Sequence, residues 1–266
     1  MVRWCHCLVR KVTMQTPDSH GSEKPTLRRQ SIYLLPNLFT LAALFAGFYA
    51  VVQGMNHNFE YAAVAIFIAM IFDGMDGRVA RLTHSQSAFG AEFDSLSDMV
   101  SFGVAPSLVA YEWMLRGLGK LGWMAAFVYC AGAALRLARF NTMIGIADKR
   151  WFIGIPSPAA AALVAGLVWI CHEYGYNDLQ ILPWVALAFT AFAGVSMVTN
   201  IKFWSFKDLH VRRKVPFIAL LLVVVLILLF VSKPPLVLFG FFVCYALSGY
   251  LMALWRKLHK PAVVAQ

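Results

Sequence analysis

Apolar residues run through this chain in blocks of about 20, the length that carries an α-helix across a bilayer. The pattern predicts helices near 34–53, 60–80, 88–114, 121–144, 157–174, 180–200, 216–232 and 235–254. Turn and charge signals separate them, among them Gln53-Gly54-Met55-Asn56, Arg116-Gly117-Leu118-Gly119-Lys120 and Ser232-Lys233-Pro234-Pro235. In hydrocarbon a helix satisfies its own backbone. The expected fold class is therefore all-α: a polytopic membrane helix bundle of about eight transmembrane helices.

Composition agrees. The 266 residues are 60% hydrophobic and 14% charged, whereas soluble domains are nearer half apolar and a quarter charged. The net charge of +10 fits basic loops facing an anionic cytoplasmic leaflet. No nucleic acid partner is expected, because no basic patch interleaves with aromatics. With the N-terminus inside, one face collects Arg78, Arg81, Arg136, Arg139, Lys149, Arg150, Lys202, Lys207, Arg212, Arg213, Lys214, Arg256, Lys257 and Lys260. The opposite face keeps only Arg116, Lys120 and Lys233. The asymmetry predicts an N-in, C-in orientation and an even number of spans.

Residues 1–30 are polar and lack the apolar stretch of a signal peptide; they read as a flexible cytosolic tail, and residues 256–266 as a second one. Cys5, His6 and Cys7 form a short cluster with too few partners for a zinc site. Cys130, Cys171 and Cys244 sit in or beside apolar runs and read as packing residues.

Four aspartates interrupt the apolar pattern. Asp73 and Asp76 lie at the end of the second predicted span, and Asp94 and Asp98 at the start of the third. An aspartate at the centre of a membrane helix costs about 3 kcal/mol on insertion scales, so these side chains must face inward. Spacings of three and four residues put each pair on one helix face. A short turn between antiparallel helices then brings four carboxylates together. A hard divalent cation, Mg²⁺ or Mn²⁺, would relieve their repulsion. The alternatives are satisfaction by Arg78, Arg81 and serine hydroxyls, or a proton path in a transporter. A transporter's charges would sit near the midplane, whereas these gather at one interface. Gly74, Gly77, Ala80 and Gly90 flank the acids. Small residues allow either close helix packing or approach of a base and pyrophosphate to the backbone.

Asp73-x-x-Asp76-Gly77-x-x-Ala80-Arg81, followed by Gly90, Asp94 and Asp98 at fixed intervals, resembles the complete signature of the CDP-alcohol phosphotransferase family. Pro36-Asn37-x-x-Thr40 resembles another recurrent element of that family. Ala134-Leu135-Arg136-Leu137-Ala138-Arg139-Phe140-Asn141 is similar to a segment of the membrane-embedded bacterial phosphatidylserine synthases. So are Phe152-x-Gly154-x-Pro156-Ser157-Pro158 and the stretch from Ser196 to Lys207. The family's motif spacing is tighter than that of membrane prenyltransferases, which also use aspartates and Mg²⁺ on a diphosphate.

The resemblance implies a catalytic core over 31–214, with 215–255 a C-terminal helical pair outside it. It implies transfer of a phosphatidyl group from CDP-diacylglycerol to serine, releasing CMP. Other acceptors of the same chemistry are glycerol 3-phosphate, inositol phosphate and choline. Two Mg²⁺ or Mn²⁺ ions would be held by Asp73, Asp76, Asp94 and Asp98, with Asp98 also the general base. Asn37, Thr40, Gly77, Ala80, Arg81, Ser87 and Gly90 would contact CDP-diacylglycerol. A homodimer in membrane lipid, in a bacterial inner membrane with the site facing the cytosol, is the expected setting. Serine's carboxylate needs a cation, and Arg136 and Arg139, with Asn141 beside them, are the candidates. The alternative for both arginines is that they snorkel to headgroup phosphates.

Overall fold

The computed structural model describes residues 27–83, 85, 87–143, 151–204 and 217–258. The Cys5-His6-Cys7 cluster and the basic groups Lys149-Arg150 and Arg212-Arg213-Lys214 lie outside them. Nine α-helices are described: α1 Leu27–Met55, α2 Phe59–Leu82, α3 Ala88–Asp98, α4 Ala105–Trp113, α5 Lys120–Thr142, α6 Ser157–Glu173, α7 Leu182–Val198, α8 Phe217–Ser232 and α9 Pro234–Leu258. A π-helical turn over Met99–Val104 joins α3 to α4, so one rod follows the third apolar block. Eight helical runs therefore match the eight predicted blocks. The first begins at Leu27, inside the segment read as tail.

The chain is an all-α membrane bundle. By length and apolar composition, Leu35–Met55, Lys120–Thr142 and Pro234–Arg256 can each cross a bilayer among the described residues. α2 matches their length, but Glu60, Asp73, Asp76, Arg78 and Arg81 break its apolar character. α6 and α7 are shorter apolar helices, each about 25 Å long at 1.5 Å per residue.

Helix α6 is the centre. Its residues from Ala159 to Val168 are all buried, and half of them are alanine. Against it pack α2, α4 and α9, and Ile66, Phe102, Val109, Tyr129 and Leu163 fill the interior. Small residues let the backbones approach without a hydrophobic drive between helices. The crossing of α5 with α7 is one tight instance: a Cβ on Gly132 would stand 2.4 Å from the Gly194 carbonyl oxygen. Large apolar side chains such as Phe45, Phe48, Leu228 and Val231 point outward, as a lipid solvent requires.

One departure from pure helix occurs where two connections meet. Strand β1, Trp151–Ile153, pairs antiparallel with β2, Lys202–Trp204, in register Trp151↔Trp204. The connection after α5 is thereby laced to the one after α7. Ser196 Oγ and Tyr250 Oη, 2.5 Å apart, tie α9 to the end of α7.

Candidate active site

The site forms where α2 ends and α3 begins, with α1 as its floor. Only residues 83–87 separate the two helices. Ser87 starts α3 as its N-cap, its hydroxyl oxygen accepting from the Gly90 backbone N–H at 3.0 Å. Such a cap satisfies one of the donors a helix start leaves open. The short turn and the cap together fold the two acid-bearing helix faces onto each other.

Asp73, Asp76 and Asp94 each offer a carboxylate oxygen, and these oxygens lie within 4.8 Å of one another. Asp98 neighbours Asp73 but is not among the carboxylates whose oxygens lie within 4.8 Å of one another. Asp76 is buried, 5% exposed, and accepts from Thr40 Oγ1 at 2.8 Å. Thr40 is itself held in place, because Ser97 Oγ donates to its carbonyl at 3.1 Å. A hydrogen-bonded chain therefore runs from α3 through α1 to the Asp76 carboxylate. The first helix thus supplies support for a carboxylate, a role that the Pro36-Asn37-x-x-Thr40 spacing alone does not reveal.

Among the described residues, one inward guanidinium, that of Arg136, stands against these four carboxyl groups. Among the described residues the ion pair is Arg116–Glu112, outside the cluster. Arg78 and Arg81 are exposed and make no ion pair with the aspartates among the described residues. The nearby serines are engaged elsewhere: Ser95 with the Ala91 carbonyl and Asn141, Ser97 with Thr40, Ser101 with the Ala43 carbonyl. Arg78, Arg81 and these serines therefore do not neutralise the cluster, and Arg136 alone does not match four carboxyl groups. Asp94 Oδ1 is buried and has no hydrogen-bond partner. Two like charges 4 Å apart repel by about 4 kcal/mol at an effective dielectric of 20. An all-oxygen cluster with an orphaned buried oxygen fits a hard divalent cation.

The glycines divide between the two uses open to them. Nothing lies within 4 Å of a Cβ built on Gly74 or Gly77, so α2 presents bare backbone to open space beside the acids. Ala80 extends this small-residue face by one turn and is half-buried. Gly90 serves packing instead: a Cβ there would come within 3.2 Å of Asn37 Oδ1. Asn37 thus sits between α1 and the start of α3.

Arg136 reaches the cluster from α5. Its guanidinium donates to Ser157 Oγ at the start of α6 and faces Asp98 and Asp73 electrostatically. Two segments distant in the chain, Arg136 and Pro156-Ser157-Pro158, therefore meet at the acids. Arg139, one turn further, is half-buried and makes no ion pair among the described residues. Asn141 Nδ2 donates to Ser95 Oγ at 3.0 Å, which docks the end of α5 on α3 between Asp94 and Asp98. Ser157 is the addition that sequence reasoning missed. It lies in the Phe152-to-Pro158 stretch, and only its contact with Arg136 shows its use.

Comparison with known proteins gives a consistent picture. The family model described as CDP-alcohol phosphatidyltransferase matches residues 33–195. A CDP-diacylglycerol–serine O-phosphatidyltransferase of Helicobacter pylori is 37% identical over 220 residues, covering 83% of this chain and 92% of the relative. Proteins of the same description from Methanocaldococcus jannaschii and Saccharomyces cerevisiae are similar over shorter stretches. The first is 39% identical over 138 residues, 52% of this chain and 61% of the relative. The second is 34% identical over 176 residues, 59% and 63%.

Proposed function

The chain belongs to the CDP-alcohol phosphatidyltransferase family, and we propose that it transfers the phosphatidyl group of CDP-diacylglycerol to L-serine, forming phosphatidylserine and CMP. The observation that carries the chemistry is the set of Asp73, Asp76 and Asp94 oxygens within 4.8 Å beside the bare backbone of Gly74 and Gly77. Relatives described as serine phosphatidyltransferases and the Arg136 guanidinium near Asp98 support serine as the acceptor.

Asp73, Asp76, Asp94 and Asp98 would hold divalent cations, Mg²⁺ or Mn²⁺ and two by family resemblance. Such ions supply charge neutralisation for the pyrophosphate and the departing CMP. The open glycine face of α2 receives the pyrophosphate and cytidine, with Arg81 and Ser87 at its exposed rim. Asp98 takes the proton from the serine hydroxyl, which is a poor nucleophile until a base removes it. The serine oxygen then bonds to the phosphorus that carries diacylglycerol. The phosphoanhydride bond to CMP breaks, and CMP leaves with the electron pair. Arg136, its guanidinium oriented by Ser157, holds the serine carboxylate through its planar fork.

The basic side chains on one face of the bundle support an N-in, C-in orientation with the site facing the cytosol. A bacterial inner membrane and a homodimer complete the proposal. The test supplies purified protein with CDP-diacylglycerol and, in turn, labelled serine, glycerol 3-phosphate, inositol phosphate or choline. Phosphatidylserine should form with equimolar CMP. Lipid product from another acceptor, and none from serine, would replace serine while keeping the chemistry.

A further inference from the structure

The third rod is not a uniform helix, and its irregularity begins at the residue after Asp98. Over Met99–Val104 the backbone widens to a π-turn, in which the Ala105 N–H bonds to the Val100 carbonyl five residues back. In an unbroken α-helix Asp98 would share a face with Ala105 and Val109, seven and eleven residues on. Those two are 0% and 1% exposed in the apolar core. An uninterrupted rod would aim Asp98 along that packed stripe. The wide turn inserts an extra residue, roughly 100° of helical phase, so α4 can bury its apolar stripe while Asp98 projects toward Asp73 and Arg136.

The cause of the wide turn is legible in Pro106. It has no N–H to give the Phe102 carbonyl, and its ring crowds that carbonyl. Pro106 thus offers the Phe102 oxygen no α-helical donor inside a fully buried region, where an unmet carbonyl is costly. Tyr129 on α5 meets it. The side chain is 0% exposed, and its hydroxyl donates to the Phe102 carbonyl at 2.9 Å. Tyr129 lies one helical face along α5 from Arg136, at a distance of seven residues, so the helix that delivers the arginine also grips the turn.

We propose that Tyr129 is a positioning residue for Asp98: its hydroxyl pins the wide turn that Pro106 opens, and that turn sets the direction in which Asp98 projects. The proposal rests on Asp98 being the general base. Removing the hydroxyl frees the turn to shift, and a misplacement near 1 Å at a reacting group costs on the order of 10²-fold.

The experiment uses the full chain in detergent or vesicles and measures serine incorporation, both KM values and the thermal midpoint. Tyr129→Phe keeps the ring and should lower kcat by about 10- to 100-fold, with KM for CDP-diacylglycerol changed by less than about twofold. Pro106→Ala restores an N–H to the Phe102 carbonyl, lets the turn tighten, and should lower kcat while the midpoint holds or rises. Tyr129→Phe combined with Pro106→Ala should recover the midpoint and not kcat. If kcat returns with the midpoint in that double variant, the hydroxyl serves stability alone and the proposal falls. Wild-type kcat in Tyr129→Phe or in Pro106→Ala overturns it too. Asp98→Asn, measured alongside, should lose at least ~10²-fold. Full activity there overturns the base assignment and the proposal with it, whereas an inactive Asp98→Asn beside a fully active Tyr129→Phe removes only the positioning role.

Discussion

Arg136 is a residue whose surroundings decide between two readings of its sequence. A basic side chain at the end of a membrane helix commonly snorkels to headgroup phosphates. Here the guanidinium is turned inward, donating to Ser157 and facing Asp98 and Asp73. If it clamps the serine carboxylate, Arg136→Ala should raise KM for serine by roughly 10- to 150-fold, the equivalent of a charged hydrogen-bond pair. KM for CDP-diacylglycerol should stay nearly unchanged. Arg136→Lys should recover only part, because a point charge does not reproduce the planar fork. Parallel changes in both KM values would take Arg136 out of the acceptor site. Arg139 offers the internal comparison: its alanine variant should act weakly on either substrate, since it is Arg136 whose guanidinium meets Ser157 and faces Asp98 and Asp73.

At the scale of elements, two glycines placed on membrane helices predict opposite outcomes. Gly77 faces open space, with nothing within 4 Å of an added Cβ. Gly77→Leu should therefore leave the thermal midpoint close to wild type while filling the donor cradle. The expected reading is a rise in KM for CDP-diacylglycerol of at least about tenfold, comparable to losing one or two buried contacts. A Cβ on Gly132 would stand 2.4 Å from the Gly194 carbonyl oxygen. Gly132→Leu must push α5 from α7 and should destabilise by about 1–3 kcal/mol, the usual cost of overpacking. Thermal unfolding and donor titration on the two variants separate a ligand surface from a packing surface. A Gly77→Leu protein with normal donor KM would show that the open face of α2 is not where CDP-diacylglycerol lies.

For the whole molecule, the acid cluster joins α2 and α3 across a short turn, while α1 braces Asp76 through Thr40. A ligand bound there links three helices, and anything that binds the folded state alone stabilises it. Chelation with EDTA should abolish activity reversibly and lower the thermal midpoint, and either Mg²⁺ or Mn²⁺ should restore both. Asp94→Ala should lose activity and most of the metal-dependent shift in midpoint. Full activity after thorough removal of divalent cations would exclude the metal reading of the cluster.

The eight helical runs, the membrane setting and the approximate place of the site were legible in the chain itself. The reason is that lipid imposes long apolar blocks, and four aspartates in such blocks have no other tolerable explanation than an inward, partnered site. Helical spacing was enough to put Asp73 with Asp76 and Asp94 with Asp98, since three and four residues return to one face. Spacing says nothing of contacts between segments remote in sequence. That Thr40 braces Asp76, that Ser157 meets Arg136, and that the connections after α5 and α7 pair as Trp151↔Trp204 depend on how the rods cross. Uniform periodicity also concealed the π-turn, because Pro106 in a continuous apolar run marks a break without saying how the backbone resolves it. Only the packed bundle places Tyr129 where its hydroxyl can reach the Phe102 carbonyl, for the donor comes from another helix and the need for it arises from burial.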